Sequence, residues 1–219
     1  GDGDVDVLSA SQDDDTIAWY ENDCGTRAPT ATPTPRPTVV CASVTFSAEI
    51  IIGQQLEGAW MGGLYAADVD GDGDVDALTA SASDDTVAWY ENDGSQSFSE
   101  RIISTLEDYV VGVYATDVDG DGDVDVLSAS FYDNTVAWYE NDGSQSFTER
   151  IITTLLSYAW GIYAIDVDGD GDVDVLSTAR TDGTVVWYEN DGSQSFTERV
   201  ITDSKGGAWG LYAYDVDGD

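Results

Sequence analysis

Short segments of alternating or continuous apolar residues, separated by polar turn residues, recur along the whole chain. Within Trp160–Thr202, four such segments follow one another: Gly161–Ile165, Val173–Ser177, Thr184–Glu189 and Ser195–Ile201. Segments of this kind, rich in β-branched and aromatic side chains, are typical of β-strands. Because no window shows helical periodicity, the pattern predicts four short β-strands in this stretch.

The segment between the last two predicted strands, Asn190–Gln194, contains an Asp-Gly pair, which favours a β-hairpin turn. The same unit recurs as Tyr65–Ser104 and Tyr114–Thr153, and equivalent residues of successive copies, such as Tyr65, Tyr114 and Tyr163, lie 49 residues apart. Four antiparallel strands in a repeat of this length are typical of a propeller blade. The sequence therefore predicts an all-β fold, a β-propeller built from four four-stranded antiparallel blades of about 49 residues each.

We expect residues 1–219 to form one propeller domain, or a segment of one, with a Thr/Pro-rich loop insertion at residues 24–43. The first repeat is longer than the others by 21 residues, and 18 of these fall in the hairpin turn after Trp19–Asp23. Added length is tolerated best at a loop tip. The insertion should therefore leave the blade intact.

An acidic nonamer, Asp-Val-Asp-Gly-Asp-Gly-Asp-Val-Asp, occurs in three repeats, at Asp68–Asp76, Asp117–Asp125 and Asp166–Asp174. A fourth copy is divided between Gly1–Asp6 and Asp215–Asp219. Carboxylates at positions one, three and five of a tight loop can converge on one point, and Gly at position six permits the sharp turn. The carbonyl of position seven can add a ligand, and the Asp at position nine closes the shell. Such hard oxygen donors suit Ca²⁺ better than a soft metal.

This loop differs from an EF-hand loop because its last acid stands at position nine rather than twelve, and no helix is predicted beside it. A solvated acidic turn is the alternative, since Asp and Gly both favour turns. Five acids in nine residues would repel one another strongly without a cation, so we predict one Ca²⁺ per repeat. The candidate ligands are Asp4, Asp6, Asp68, Asp70, Asp72, Asp74, Asp76, Asp117, Asp119, Asp121, Asp123, Asp125, Asp166, Asp168, Asp170, Asp172, Asp174, Asp215, Asp217 and Asp219.

The charge balance is strongly acidic, with 44 acidic side chains against 7 basic ones, no His, and a formal net charge of −37. This balance argues against nucleic acids as partners, because binding to phosphate requires Lys and Arg. No apolar run is long enough to span a bilayer, so we expect no membrane insertion. Hydrophobic residues make up 42% of the chain, with seven Trp and twelve Tyr, which is enough for a packed core and argues against disorder.

Two cysteines, Cys24 and Cys41, bracket a Thr/Pro-rich segment at Thr26–Thr38. Because a metal site usually needs more ligands, we favour a disulfide that closes this loop, with free thiols as the alternative. Thr/Pro runs are typical of O-glycosylated stalks, so the candidate glycan carriers are Thr30, Thr32, Thr34 and Thr38. Together with the acidic loops, these features indicate an extracellular protein, secreted or on the cell surface.

Two aromatic series accompany the repeats. The first stands in the recurrent Trp-Tyr-Glu-Asn-Asp segment, at Trp19, Trp89, Trp138 and Trp187. We favour a role for these residues in the core between blades over a platform that stacks on sugars. The second series precedes a Gly near the first strand, where a pocket-lining role stays open, at Trp60, Tyr109, Trp160 and Trp209.

These residues resemble the VCBS or FG-GAP-like repeat, the blade unit also found in integrin α-subunit propellers. The similarity runs from Trp209–Gly210, through the Asp-x-Asp-x-Asp-Gly-x-x-Asp loop, to Tyr-x-Asn-Asp-Gly before Phe, and covers the chain outside Cys24–Cys41. In that family the loop joins the first two strands of a blade and binds Ca²⁺, so the resemblance implies the same role for these aspartates. Ser-Ala-Ser at Ser81–Ser83 and Ser128–Ser130 replaces the Gly-Ala-Pro of integrins, so no integrin-like ligand specificity is implied.

The termini divide one predicted blade, because the chain begins at a second strand and ends with a first strand. Four arrangements stay open: a four-bladed ring of one chain, an eight-bladed ring of two chains, an open head-to-tail filament, and a fragment of a longer propeller. In the first three, the C-terminal aspartates would share a calcium site with Asp4 and Asp6. We therefore expect self-association into an oligomer or filament.

The leading functional hypothesis is an extracellular, calcium-binding structural or adhesive propeller rather than an enzyme. The repeats are nearly identical, and Gly143–Arg150 and Gly192–Arg199 are the same octamer. An enzyme site requires different residues in different roles, so a polysaccharide hydrolase or lyase is the least favoured hypothesis. The alternative function is a lectin that binds glycans through equivalent pockets between blades. Glycans or surface proteins are accordingly candidate partners.

Overall fold

A computed structural model describes residues 7–11, 16–20, 22–23, 45–46, 50–54, 63–203 and 206–214. All regular secondary structure in these residues is β. The strands are β1 (Val7–Ser11), β2 (Thr16–Tyr20), β3 (Asn22–Asp23), β4 (Thr45–Phe46), β5 (Ile50–Gln54), β6 (Leu64–Ala67), β7 (Asp76–Ser81), β8 (Thr86–Asn92), β9 (Phe98–Ser104), β10 (Val110–Thr116), β11 (Asp125–Ser130), β12 (Val136–Asn141), β13 (Phe147–Thr153), β14 (Ala159–Ile165), β15 (Asp174–Ala179), β16 (Val185–Asn190) and β17 (Phe196–Thr202).

Three complete four-stranded antiparallel sheets form the described part of the propeller. They are β6–β9, β10–β13 and β14–β17, and in each one the strands pair in sequence order. We call these sheets blades two, three and four. The first repeat contributes a three-stranded sheet, β1-β2-β5, and a two-stranded hairpin, β3-β4. The predicted all-β fold of repeated antiparallel blades is confirmed, whereas the single domain over residues 1–219 stays a prediction.

Burial changes from the middle of each blade to its outer edge. All six positions of β11 are buried, whereas four successive positions of the outer strand β13 are exposed. The exposed face of β13 carries Arg150, which forms an ion pair with Glu140 on β12 at 2.5 Å. Charged side chains on an edge strand discourage pairing with other chains. The outermost strands therefore face solvent, and the core lies between blades.

The interface between adjacent blades is a continuous apolar core. Trp138 of blade three is 2% exposed and belongs to one cluster with Val175 and Val186 of blade four. Trp89 is likewise 2% exposed and clusters with Val126 of blade three. The prediction that this tryptophan series builds the core between blades is confirmed for these two residues.

A column of tyrosines links the first strands of successive blades. The ring centroids of Tyr65 and Tyr114 lie 4.5 Å apart, those of Tyr114 and Tyr163 4.9 Å, and those of Tyr163 and Tyr212 5.2 Å. Tilted and edge-on aromatic pairs at such distances add to the stability that burial alone provides. The 49-residue repeat thus places equivalent rings in contact from blade to blade.

Glu107 is a buried carboxylate between blades two and three. Its side chain is 4% exposed, and its oxygens accept hydrogen bonds from the hydroxyls of Ser130, at 2.6 Å, and Tyr139. The next repeat has Leu156 at the corresponding position, also buried. The buried residues between blades therefore differ from one repeat to the next, although the strands align at the 49-residue spacing.

The strand order gives the blades two distinct ends. The acidic loops and the Asn-Asp-Gly turns share one end, which we call the acidic face; in blade three these are residues 117–125 and 141–146. The turn after the second strand and the loop after the fourth strand share the other end. We call this end the aromatic face; in blade three it comprises residues 131–135 and 154–158.

Candidate metal sites on the acidic face

Each acidic loop joins the first and second strands of its blade, as the sequence predicted. In blade three the loop lies between β10 and β11, and Gly122 at its sixth position has φ = +99°. A backbone in this region strains any residue with a Cβ. The equivalent glycines of the other two loops have the same φ, so the Gly at position six is required by the sharp turn.

Three carboxylates converge in every described loop, namely those at positions one, three and nine. One oxygen from each lies within 4.8 Å of the others. The three groups are Asp68, Asp70 and Asp76; Asp117, Asp119 and Asp125; and Asp166, Asp168 and Asp174. The donor set therefore consists of hard, anionic oxygens, which suit a divalent cation such as Ca²⁺ or Mg²⁺.

The ninth aspartate is buried and fixes the loop to the blade. Asp125 is 1% exposed; its Oδ2 accepts the Val118 N–H at 2.9 Å and its Oδ1 accepts the Asn141 N–H at 2.8 Å. The same two bonds form at Asp76 and at Asp174. This residue therefore holds together the start of its loop and the hairpin turn that follows the third strand.

Burial makes the ninth carboxylate hard to ionise in blades two and three. Desolvation raises the pKa of Asp125 from 3.8 to about 7 and that of Asp76 to about 6, although the two backbone hydrogen bonds act in the opposite direction. The neighbouring carboxylates raise both pKa values further, because like charges repel. A bound cation would reverse this balance by favouring the ionised form.

The first aspartate shows that the site has room for a further partner. In blade three, the Asp117 oxygens accept the Gly120 N–H at 2.7 Å and the Gly122 N–H at 3.0 Å. In blade two, Oδ2 of Asp68 accepts the Gly73 N–H at 3.0 Å, but its Oδ1 is buried and has no hydrogen-bond partner. A buried carboxylate oxygen without a donor is costly, and a cation would satisfy it. The residues present thus fit a cation.

The structure does not bring the fifth and seventh aspartates into these groups of three. Asp121 Oδ1 accepts the Asp123 N–H at 2.9 Å. The Asp123 carboxylate lies against Gly143 of the hairpin turn, where an added Cβ would lie 2.5 Å from its Oδ2. A ligand role for Asp72, Asp74, Asp121, Asp123, Asp170 and Asp172 stays a prediction.

An asparagine connects the acidic loops of adjacent blades, which the sequence analysis missed. Asn141 Nδ2 donates to the Val124 carbonyl of its own loop at 3.1 Å and to the Val69 carbonyl of the preceding loop at 3.4 Å. Asn190 repeats this pattern in blade four, and its bond to the Val118 carbonyl measures 3.5 Å. The signal in the sequence is the invariable Asn before each Asp-Gly turn.

Several predicted site residues lie outside the described residues. They are the divided loop, Asp4, Asp6, Asp215, Asp217 and Asp219; the cysteine pair, Cys24 and Cys41; and the candidate glycan carriers, Thr30, Thr32, Thr34 and Thr38. A shared calcium site, a disulfide and glycosylation at these positions stay predictions.

A cavity of about 350 Å³ opens between the outer strands of blade two and the hairpin turn of blade three. Aromatic, charged and amide side chains line it together, which is typical of ligand pockets. The lining residues are Trp89, Glu91, Arg101, Ile102, Ser144, Gln145 and Phe147. The sequence repeats all seven of these residues 49 positions later, between blades three and four.

Comparisons with known proteins identify the repeat. The model of the FG-GAP-like repeat matches four overlapping segments, residues 1–79, 68–128, 117–177 and 166–219. No curated protein sequence matches the chain. Among solved structures, the chain resembles an Agrocybe aegerita lectin that recognises non-reducing terminal N-acetylglucosamine, with a TM-score of 0.54 and 16% identity over 92% of this chain.

The chain spans about half of that lectin, 53% of its length. A second similar structure is the V. cholerae biofilm matrix protein Bap1, with a TM-score of 0.48 and 17% identity over 91% of this chain and 29% of Bap1. The lectin, at such low identity, supports the propeller fold alone.

Proposed function

The chain belongs to the FG-GAP-like repeat family, and on this premise we propose that it is a calcium-binding structural or adhesive β-propeller that acts outside the cell. The observation that carries the proposal is the convergence of three carboxylates in each of three successive blades. A protein that binds or converts one substrate at a single site would not need three equivalent groups of carboxylates. Equivalent sites at every blade are what a structural role requires.

Calcium suits these loops better than magnesium. Mg²⁺ requires near-ideal octahedral geometry and keeps several waters, whereas Ca²⁺ accepts irregular sets of carboxylate and carbonyl oxygens. The first, third and ninth aspartates of each loop would hold the ion, whose positive charge would offset their repulsion. The turn of the loop brings these aspartates together. The Gly at position six and backbone N–H groups that donate to the aspartates keep this turn in place.

Calcium binding would also order the hairpin turns. The ninth aspartate accepts the N–H of the turn asparagine, and that asparagine donates to the loop of the preceding blade. An ion that fixes the ninth carboxylate thus stabilises the ends of two blades. This coupling supports a structural role for the ion.

The same chemistry supports an extracellular location. A net charge of −37 destabilises a compact chain unless cations bind to it. Millimolar calcium outside cells would fill modules with a Kd of about 10⁻⁴–10⁻³ M, which cytosolic calcium would leave empty. No helix among the described residues is long and apolar enough to cross a membrane.

A binding or structural role fits the repeats better than catalysis does. The outer segment Phe147–Thr153 and its counterpart in blade four differ at one position only, Ile151 against Val200. Catalysis requires residues with distinct roles around one substrate. Partners on this view are glycans, surface proteins or further copies of the chain.

Calorimetric titration with Ca²⁺ in physiological salt tests the proposal. We expect at least one ion for each described loop, with a Kd near 10⁻⁴–10⁻³ M, and little competition from Mg²⁺ at equal concentration. A Kd below about 1 µM would place filled sites in the cytosol and contradict the extracellular assignment. Absence of binding would overturn the calcium role altogether.

Assembly into a ring or a head-to-tail filament stays a prediction. Light scattering in millimolar calcium and again after chelation tests it. A calcium-dependent increase to large, polydisperse particles would support the filament. A sharp monomer or dimer mass would contradict it.

The second candidate function is glycan binding by the cavity between blades. The partly buried Phe147, the pair formed by Arg101 and Glu91, and Gln145 offer a ring and several hydrogen-bonding groups to a sugar, and the buried Trp89 lies beneath them. A glycan array and quenching of Trp fluorescence test this function, with Gln145→Ala as the variant. An array without hits for the wild-type protein would contradict it.

A further inference from the structure

Arg180 is enclosed by aromatic rings on the aromatic face. Its guanidinium carbon lies 4.1 Å from the ring centroid of Trp209, 4.4 Å from that of Trp160 and 5.6 Å from that of Phe131. The centroids of the Trp160 and Trp209 rings are themselves 5.4 Å apart, and the ring planes meet at 63°. Aromatic faces attract a cation and cover the flat sides of the guanidinium, which leaves its N–H edge available.

The charge of Arg180 has no partner among the described residues. Arg101, Arg150 and Arg199 each form an ion pair with a glutamate of the neighbouring strand, but Arg180 forms none. In a chain with 44 acidic and 7 basic side chains, an arginine without a carboxylate partner is unexpected. A structural role would have favoured the paired arrangement seen in the three other arginines that the structure describes.

The repeat does not require an arginine at this position. The corresponding residues are Ala82 in blade two and Phe131 in blade three. The position of the Trp160 ring is likewise occupied by Val111 in blade three. The cation and its aromatic surroundings therefore occur once in the described blades, unlike the acidic loops and the cavity between blades.

An exposed aromatic surface adjoins Arg180. Tyr132 is 57% exposed and Tyr158 is 40% exposed, and their rings contact Phe131 at centroid distances of 5.1 and 4.7 Å. Trp209, on the other side of the guanidinium, is 55% exposed. Contiguous exposed rings of this kind mark binding surfaces.

Tyr158 is held in a costly conformation. Its φ is +57°, in a region that residues with a Cβ rarely adopt, and the Asn134 side chain accepts its N–H at 2.8 Å. The following repeat has Gly207 at this position. The preceding repeat has Tyr109 here with φ = +64°, and the Asp85 side chain accepts its N–H, so the conformation belongs to this turn in both blades. The Tyr158 ring is 40% exposed, which leaves it available to a ligand.

We propose that Arg180 and the rings around it bind a uronic acid residue of an acidic polysaccharide. The guanidinium edge would donate two parallel hydrogen bonds to the carboxylate, the geometry that arginine favours. The apolar face of the pyranose would lie on the exposed rings, and the tyrosine hydroxyls would bind its hydroxyl groups. An aspartate or glutamate side chain alone has no apolar ring face beside its carboxylate, whereas a uronic acid carries both on one residue.

The proposal deepens the adhesive role suggested above, because it names a ligand for the propeller, but it concerns the face opposite the calcium loops. Calcium binding and polysaccharide binding can therefore be tested independently of each other. A variant of Arg180 that loses polysaccharide binding should bind calcium with unchanged stoichiometry, and its melting temperature in calcium verifies that it is folded.

Titration of the calcium-saturated full chain with short uronate oligomers, of galacturonate, glucuronate and mannuronate, tests the proposal by calorimetry and Trp fluorescence. We expect at least one oligomer to bind, and its methyl ester, which has no charge, to bind at least about tenfold more weakly. Arg180→Gln should weaken binding by about tenfold or more, and Arg180→Lys by less, because lysine keeps the charge but not the paired geometry.

The matched control is Arg199→Gln, which removes the same charge from the outer strand of the same blade as Arg180, breaks the ion pair with Glu189, and should leave affinity within about twofold. Tyr132→Ala should weaken binding without changing the preference for the charged oligomer. Equal binding of the ester, equal binding by Arg180→Gln, or no binding of any oligomer would overturn the proposal. Binding of an acidic, aromatic peptide in place of every oligomer would also overturn it.

Discussion

Replacing Asp119 by Asn should abolish the calcium response of one acidic loop while leaving its turn in place. The Asp119 carboxylate belongs to a group of three, and its Oδ1 accepts the Asp121 N–H at 3.2 Å. Asparagine retains an oxygen acceptor for this bond, but it loses the anionic charge. Without calcium, the variant should be as stable as the wild type or slightly more stable, because one of several repelling carboxylates has been removed.

The size of the effect follows from the linkage between binding and folding. An ion that binds only to the folded chain stabilises it by about 2.7 kcal/mol when its concentration is about a hundred times Kd. For a domain of this size, each kcal/mol shifts Tm by about 2–4 °C. Loss of one site should therefore lower Tm by about 5–11 °C in saturating calcium.

Scanning calorimetry of both proteins, with calcium and after chelation, measures this difference. The control is Asp182→Asn on the aromatic face, which removes the same charge and whose Oδ1 likewise accepts an N–H two residues on, from Thr184, at 3.1 Å. This control should keep the full calcium response. If calcium raised Tm equally in Asp119→Asn and the wild type, the assignment of the loop would be refuted.

Three further predictions concern the groups around the sites. Asn141→Ala should destabilise the chain by about 1–3 kcal/mol in urea unfolding, and by more than Asn92→Ala, whose described amide bond reaches only its own loop; equal losses would contradict the bridge between blades. The calcium-free protein should become more stable as pH falls from about 7 to 5. The raised pKa values of Asp125 (about 7) and Asp76 (about 6) mean that the folded chain binds more protons there than the unfolded chain; urea unfolding that shows the opposite slope would contradict this. Glu107→Ala should cost about 2–4 kcal/mol, because it leaves a cavity and two hydroxyls without their acceptor, and Glu107→Gln should cost less.

The pattern of apolar positions predicted the strands closely. The segments Thr184–Glu189 and Ser195–Ile201 correspond to the observed strands Val185–Asn190 and Phe196–Thr202. Strand periodicity and the Asp-Gly turn depend on neighbouring residues alone, so a sequence shows them directly. The same holds for the position of each acidic loop.

The selection of residues within the loops could not be predicted. The sequence offers five equivalent aspartates per loop, but the structure brings three carboxylates together and buries only the ninth. Its burial depends on two hydrogen bonds, one of them from a residue 16 positions away, as between Asp125 and Asn141. Contacts between blades are even harder to predict from the sequence, because the residues that form them are far apart in the chain. Asn141 and Val69, for example, are 72 residues apart.

The arrangement of residues on the aromatic face could not be predicted from the sequence either. The sequence left a pocket-lining role open for Trp160 and Trp209, but it did not place Arg180 between them. Two rings 49 residues apart and an arginine from a turn meet only because adjacent blades pack side by side. Residues that differ between otherwise identical repeats were the available signal, since Arg180 replaces Phe131 and Ala82.

The calcium stoichiometry of the purified chain tests the central claim most directly. Equilibrium dialysis at saturating calcium and physiological salt should find at least three sites per chain, one for each described group of carboxylates, and one site fewer in Asp119→Asn. Fewer than three ions per wild-type chain, or equal stoichiometry in the two proteins, would contradict the view that each blade is stabilised by its own ion.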